Sequence, residues 1–187
     1  LFVGGSSDAD VIDLEKFPFI KDCKRLLVYC VENNIPVLGS CYGFQLAVEA
    51  LGGKVEKHEE YSETFGSGMI HLSDEGKKDV LFGDMPSSYR AVAMHKDSAT
   101  RLPENAILLA YSDNCPYHAF KIKDKPFYAS QHHTEIDKPD FIARVRRYQA
   151  VYTDSADVLE KIIDETVDTD EVNTIPRKFI DRVVLKD

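Results

Sequence analysis

Short apolar runs alternate along the chain with longer stretches in which apolar residues return every three or four positions. Leu1-Phe2-Val3 reads as a buried strand that is already running when the chain opens, with Gly4-Gly5-Ser6-Ser7 at its end. Across 19–33, Ile20, Cys23, Leu27 and Cys30 or Val31 fall on one helical face, and Asn33-Asn34 stop the helix. Pro36-Val37-Leu38 predicts the next strand, so the order strand–helix–strand implies a parallel crossover. A short helix is expected over 44–51, closed by Gly52-Gly53. Strands are expected at 54–58, 69–72, 91–95, 107–111, 118–122 and 127–130, a crowding that predicts hairpins added to an otherwise parallel sheet.

The last quarter is helical in pattern. Asp137 with Pro139 marks a helix start, and Phe141, Ile142, Val145, Tyr148 and Tyr152 form the apolar stripe behind it. Ser155 can cap a second helix with Val158, Leu159, Ile162 and Ile163 inward. A third begins near Pro176, with Phe179, Ile180, Val183 and Val184 apolar. These helices carry no chemical motif. Their acidic faces read as solvated surface or as a face for a docking partner. The chain is read as one domain over 1–187, with a core over 1–136 and a helical extension over 137–187.

Composition narrows the classes. With 187 residues there is enough chain for one sizeable core, and 43% hydrophobic with 29% charged residues is ordinary for a soluble protein. A net charge of −9 argues against nucleic acid or an anionic membrane as partner. No apolar run has the length of a membrane span, and no signal-peptide pattern opens the chain. Cys23, Cys30, Cys41 and Cys115 show no C-x-x-C spacing, which points to neither a zinc site nor a redox pair and fits a reducing, cytoplasmic setting. Cys23, Cys30 and Cys115 are expected to be packing residues. His58, His71, His95 and His118 are scattered in sequence and are read as surface or satisfied core positions, so no metal is expected.

The chemistry is concentrated in Pro36-Val37-Leu38-Gly39-Ser40-Cys41-Tyr42-Gly43-Phe44-Gln45. A strand, a tight turn with one cysteine between two glycines, and a helix start together have the layout of a nucleophile elbow. A helix beginning beyond Cys41 favours the thiolate, which is the nucleophile. The same stretch also fits a buried cysteine in a glycine-rich turn. Far downstream, Tyr128-Ala129-Ser130-Gln131-His132-His133-Thr134-Glu135 ends a strand with a base, His133, and a carboxylate two positions on, Glu135. Nucleophile, base and orienting acceptor form the set that cysteine catalysis needs.

With Gly39-x-Cys41-x-Gly43-x-Gln45 and His133-x-Glu135, the chain resembles the class I (triad-type) glutamine amidotransferases from residue 1 to about 136. The spelling around Cys41 looks most like their GMP-synthetase-type members. The resemblance implies an α/β fold: an open, mostly parallel, flavodoxin-like sheet with helices on both faces and added antiparallel strands. It also implies a strand–helix unit ahead of Leu1, as though this chain were a fragment, a processed product or the ordered part of a longer one. Cys41, His133 and Glu135 would be the catalytic set, acting on the glutamine side-chain amide through a thioester. The backbone N–H groups of Tyr42 and of the Gly4-Gly5 loop, with Gly5 as donor, would form the oxyanion hole.

Gln45 would help hold glutamine, as would Lys96 and Asp97 in Met94-His95-Lys96-Asp97, although Lys96 stands where the family commonly has glycine. His132 and Thr134 replace the family's usual aromatic and proline. No phosphate-binding loop is present, so no ATP and no other cofactor is expected. The implied partners are a small-molecule substrate, glutamine or a γ-glutamyl compound, and a separate synthase that receives ammonia. Two other functions fit the same residues: a γ-glutamyl hydrolase, and a catalytically silent relative with a regulatory or interaction role.

Overall fold

The structure is a computed structural model that describes residues 1–6, 9–58, 66–149 and 155–186. Its strands are β1 (Phe2–Val3), β2 (Val37–Ser40), β3 (Lys54–Glu56), β4 (Gly66–Leu72), β5 (Ser88–Ala93), β6 (Ser98–Arg101), β7 (Ala106–Tyr111), β8 (Ala119–Ile122) and β9 (Phe127–Ser130). The helices are α1 (Ile20–Glu32), α2 (Tyr42–Ala50), α3 (Lys138–Arg147), α4 (Ala156–Glu165), α5 (Asp170–Asn173) and α6 (Ile175–Phe179), the last running into a π-helical stretch, Ile180–Leu185.

Seven strands form one sheet in the order β1-β2-β9-β8-β7-β4-β5, and β3 pairs with β6 in a separate ribbon. The contacts β1–β2 and β2–β9 are parallel, and the remaining four pairings of the large sheet are antiparallel. The class is the expected α/β one, with the parallel part confined to three strands. The cause lies in the connections. The links from β7 to β8 and from β8 to β9 are too short to cross back over the sheet, and parallel neighbours need a crossover of a dozen residues or more.

Alternating residues of the central strands feed two cores. Val37, Phe127, Phe120 and Ile122 pack with Ile20, Leu27 and Cys30 of α1 and with Phe44, Leu46 and Val48 of α2. Leu38, Tyr128, Ile70 and Leu72 face the other way, onto Val172, Ile175, Phe179 and Val183 of the C-terminal helices. A third cluster joins Phe141 and Val145 of α3 to Leu159, Ile162 and Ile163 of α4 and to Val92 of β5. This arrangement covers both sheet faces while leaving the C-terminal ends of β2 and β9 side by side, with Ser40 opposite Ser130.

The caps fall where the sequence puts them: Asp137 accepts from the Asp140 N–H at the start of α3, and Ser155 accepts from the Val158 N–H at α4. Several sequence expectations need correcting. Val158 is exposed rather than inward, because Leu159, Ile162 and Ile163 already fill the buried face of α4; of the last apolar group Phe179 and Val183 are buried, while Ile180 and Val184 are exposed. Tyr152 lies outside the described residues. β6 and α5 have no counterpart among the expected elements, since Ser98-Ala99-Thr100-Arg101 and Asp170-Glu171-Val172-Asn173 are too short and polar to show a period.

Candidate active site

Cys41 sits between β2 and α2 with φ 52° and ψ −99°, a left-handed conformation that a non-glycine residue adopts at a cost of about 1–3 kcal/mol. Its N–H donates to the Ser130 carbonyl of β9 at 2.8 Å, and its carbonyl accepts from the N–H groups of Phe44 and Gln45. The strained turn is thus tied to the sheet on one side and to the helix on the other. The flanking glycines are sterically required. A Cβ on Gly39 would lie 2.9 Å from the Gly43 carbonyl oxygen, and one on Gly43 would lie 2.2 Å from the Val3 carbonyl oxygen. The side chain of Cys41 is buried, at the head of a helix whose first N–H groups have no partner within the helix.

His133 is brought to the cysteine by the chain leaving β9. Its N–H donates to the Val92 carbonyl at 2.8 Å, an isolated bridge that fixes the backbone just past the strand. Its Nδ1 lies 2.8 Å from Glu135 Oε1. The second carboxylate oxygen of Glu135 accepts from Ser40 Oγ at 2.6 Å and from the Thr134 N–H at 3.0 Å. Ser40 immediately precedes Cys41, so the residue before the thiol also holds the carboxylate behind the imidazole. Gly5 lies over this group: a Cβ there would stand 3.1 Å from His133 Cε1 and 3.9 Å from Cys41 Cβ.

Burial pushes the His133 imidazole down, but its charge interaction and hydrogen bond with Cys41, together with Glu135, outweigh that and raise it to about 10. Burial likewise pushes Glu135 up, and its bonds to His133 and Ser40 reverse the sign and leave it lowered. The carboxylate is therefore held ionised and the imidazole held protonated, the state in which each supports the other.

Around this centre, Gln45 Nε2 donates to the Asp97 carbonyl at 2.7 Å and toward Gln131 Oε1 at 3.3 Å. Gln131 Nε2 in turn lies 3.9 Å from Cys41 Sγ. Gln45 is buried and anchors the 95–97 segment, whereas Lys96 is exposed. Asp97 is half-buried, and burial followed by the charge of Asp10 raises its carboxyl. Sequence reading missed Ser40, Gln131 and Asp10 as contributors. Nothing in a one-dimensional motif pairs Ser40 with a carboxylate so far along the chain.

His132 points elsewhere. It is fully buried, and its ring packs edge-on against Tyr89 at 5.7 Å and at a tilt against His118 at 5.8 Å. Neither ring nitrogen meets a hydrogen-bond partner among the described residues. The histidines read as scattered are not all so: His95, Cys115 and His118 converge, each offering one ligand atom within 4.8 Å of the others.

A strained cysteine at a strand–helix turn of an α/β sheet, with a histidine–carboxylate pair at the end of the neighbouring strand, has the layout of a nucleophile elbow. The family model for class I glutamine amidotransferases matches residues 10–142, and the chain belongs to that family. Among curated relatives, it is 35% identical over 123 residues to the glutamine-hydrolyzing GMP synthase of Borrelia garinii subsp. bavariensis, covering 66% of this chain and 22% of that protein. It is 34% identical over 119 residues to a glutamine-hydrolyzing GMP synthase subunit of Methanococcus aeolicus, covering 64% and 61%. The chain thus spans less than two thirds of the length of either relative. A solved glutamine amidotransferase from Thermotoga maritima superposes with a TM-score of 0.76 over 98% of this chain and 77% of that one, at 21% identity. One from Methylobacillus flagellatus gives 0.67 over 94% and 69%, at 17% identity. At those identities the likeness is one of fold.

Proposed function

We propose that this chain hydrolyses the side-chain amide of glutamine and passes the ammonia to a synthase. The observation that carries the reading is Cys41 on its left-handed turn beside an imidazole that interacts with it and is held from behind by Glu135 at 2.8 Å. In the site poised for reaction His133 is charged, supported by Glu135 and carrying the proton that the Cys41 thiol gives up. The sulfur attacks the amide carbon, and the carbonyl π pair moves onto oxygen, which meets the backbone N–H groups of Tyr42 and Gly5. Losing one such donor costs about 3–4 kcal/mol of transition-state stabilisation, so a loop without functional side chains still matters. The C–N bond breaks as His133 gives its proton to the leaving ammonia, and a γ-glutamyl thioester remains on Cys41. Water then attacks that carbon, losing its proton to the now neutral His133, and glutamate leaves as the sulfur departs.

Glu135 keeps the imidazole in one orientation throughout and stabilises its charged form. Gln45 supports the substrate end of the site by holding the segment with Lys96 and Asp97 in place. Relatives whose matching polypeptide is itself named as one subunit of GMP synthase favour delivery to a synthase on another polypeptide.

The test is release of ammonia and glutamate from glutamine by the wild-type chain and by Cys41→Ala, with and without a co-purifying synthase. Turnover that is lost in the variant supports the reading. Wild-type turnover in Cys41→Ala would end it. Release of an amine from a γ-glutamyl conjugate, with no ammonia from glutamine, would transfer the site to γ-glutamyl hydrolysis.

A further inference from the structure

We propose that His95, Cys115 and His118 form a binding site for one borderline-soft divalent transition-metal ion, of which zinc is the representative. The three donors come from separate places in the fold. His95 follows β5, Cys115 lies in the connection between β7 and β8, and His118 immediately precedes β8. They meet in the interior, with relative exposures of 5%, 0% and 0%, and their ligand atoms all lie within 4.8 Å of one another.

The donor chemistry selects the ion. Two imidazoles and one thiol suit zinc and its borderline neighbours and do not suit magnesium or calcium, which take oxygen. Bonds of about 2.0–2.3 Å at a tetrahedral centre put neighbouring donor atoms about 3.3–3.7 Å apart. The cluster therefore has to close by about an ångström, within reach of side-chain rotation on a fixed backbone.

That backbone is fixed. The His118 N–H donates to the Ala110 carbonyl at 2.8 Å, and the His118 carbonyl accepts from the Gln131 N–H at 2.7 Å. Around Cys115 the chain folds on itself, with the Ser112 N–H donating to the Cys115 carbonyl at 2.9 Å and the Cys115 N–H donating to Ser112 Oγ at 3.0 Å.

The tautomer of His95 is set as well. Its Nδ1 is 3.0 Å from the Asp97 carbonyl. A carbonyl only accepts, so Nδ1 carries the hydrogen and the lone pair of the neutral ring is on Nε2. An imidazole that donates one nitrogen to a backbone carbonyl and presents the other is the usual outer-shell arrangement at a metal ligand. His132 borders the cluster without belonging to it. It is fully buried, both its nitrogens lack a partner among the described residues, and its ring lies against that of His118.

Binding would replace the Cys115 S–H proton, released to solvent, by a metal–sulfur bond, leaving one net positive charge on the site. The ion would join the end of β5, the β7–β8 connection and the start of β8 directly behind Gln131-His132-His133. Its role would be to hold the strand end that carries the base, not to touch substrate.

The metal-free 187-residue chain titrated with Co(II) tests this. The expected result is one equivalent bound with a thiolate-to-cobalt charge-transfer band and intense tetrahedral d–d bands, displaced by Zn(II). The charge-transfer band should persist in Cys41→Ser and vanish in Cys115→Ser. His118→Gln should weaken binding by more than the roughly 10–100-fold that loss of an outer-shell partner costs. Zn(II) should raise the melting temperature of the wild type, since it binds the folded state. No stoichiometric binding by the wild type would overturn the proposal, whatever the folding of the variants. So would a band that disappears in Cys41→Ser, which would place the metal on the nucleophile.

Discussion

His132 and His133 are adjacent in sequence and face different surroundings. His133 reaches Glu135 and Cys41, while His132 packs against Tyr89 and His118. Alternation at a strand end produces this split, because neighbours point to opposite faces and residues two apart share one. His133→Ala is accordingly expected to reduce glutamine turnover by roughly 10²–10⁴. His132→Ala should retain most of the turnover rate and lower the melting temperature, since it opens a void in a packed region. Steady-state rates and thermal melts of both variants check this, and the reverse order of activities would contradict it. Ser40 acts through Glu135. Its hydroxyl is one cause of the lowered Glu135 pKa, so Ser40→Ala should let that carboxyl rise. The acid limb of the kcat/KM profile should then move to higher pH, with Ser40→Thr restoring it. A profile unchanged in Ser40→Ala would leave Ser40 with a packing role alone.

The element that sets the site is the crossing of β1, β2 and α2. Gly43 sits in the first turn of α2 where the helix passes β1, and a methyl there would collide with the Val3 carbonyl. Gly43→Ala should therefore cost about 1–3 kcal/mol of stability, as overpacking usually does. It should also reduce turnover by shifting Cys41 and the neighbouring Gly5 loop. Chemical unfolding combined with rate measurement would check both, and a variant as stable and active as the wild type would contradict the close approach. This part of the fold was legible in the sequence because glycine spacing, strand and helix all point to one geometry. β6 and α5 were not legible, since each is held by tertiary contact rather than by its own periodicity. The limited extent of parallel pairing was hidden for a related reason: strand positions show in the sequence, but their partners depend on which links are too short to cross over.

Across the whole molecule, the candidate residues Cys41, His133 and Glu135 stand out in the sequence because each occupies a short spelled motif. Ser40–Glu135 and the His95, Cys115 and His118 cluster do not, because folding alone brings such distant positions together. Among the described residues no helix is long and apolar enough to cross a membrane. The site's electrostatics also bear on global stability. His133 is raised from its ordinary 6.5 to about 10, so its contribution is fully present below 6.5 and is lost as pH rises through about 10. Glu135 is lowered from 4.5, so its contribution is present above 4.5 and is lost as pH falls through the lowered value. Urea unfolding across pH should show an alkaline decline that is smaller in His133→Gln, and an equal decline would contradict the assignment. The central claim is that Cys41 is the glutamine-directed nucleophile. Mass spectrometry after brief exposure to a glutamine-mimicking electrophile tests it most directly. Modification should fall on Cys41 well before Cys23, Cys30 and Cys115, and excess glutamine should suppress it. Equal labelling of the four thiols, or labelling that glutamine does not slow, would contradict the account.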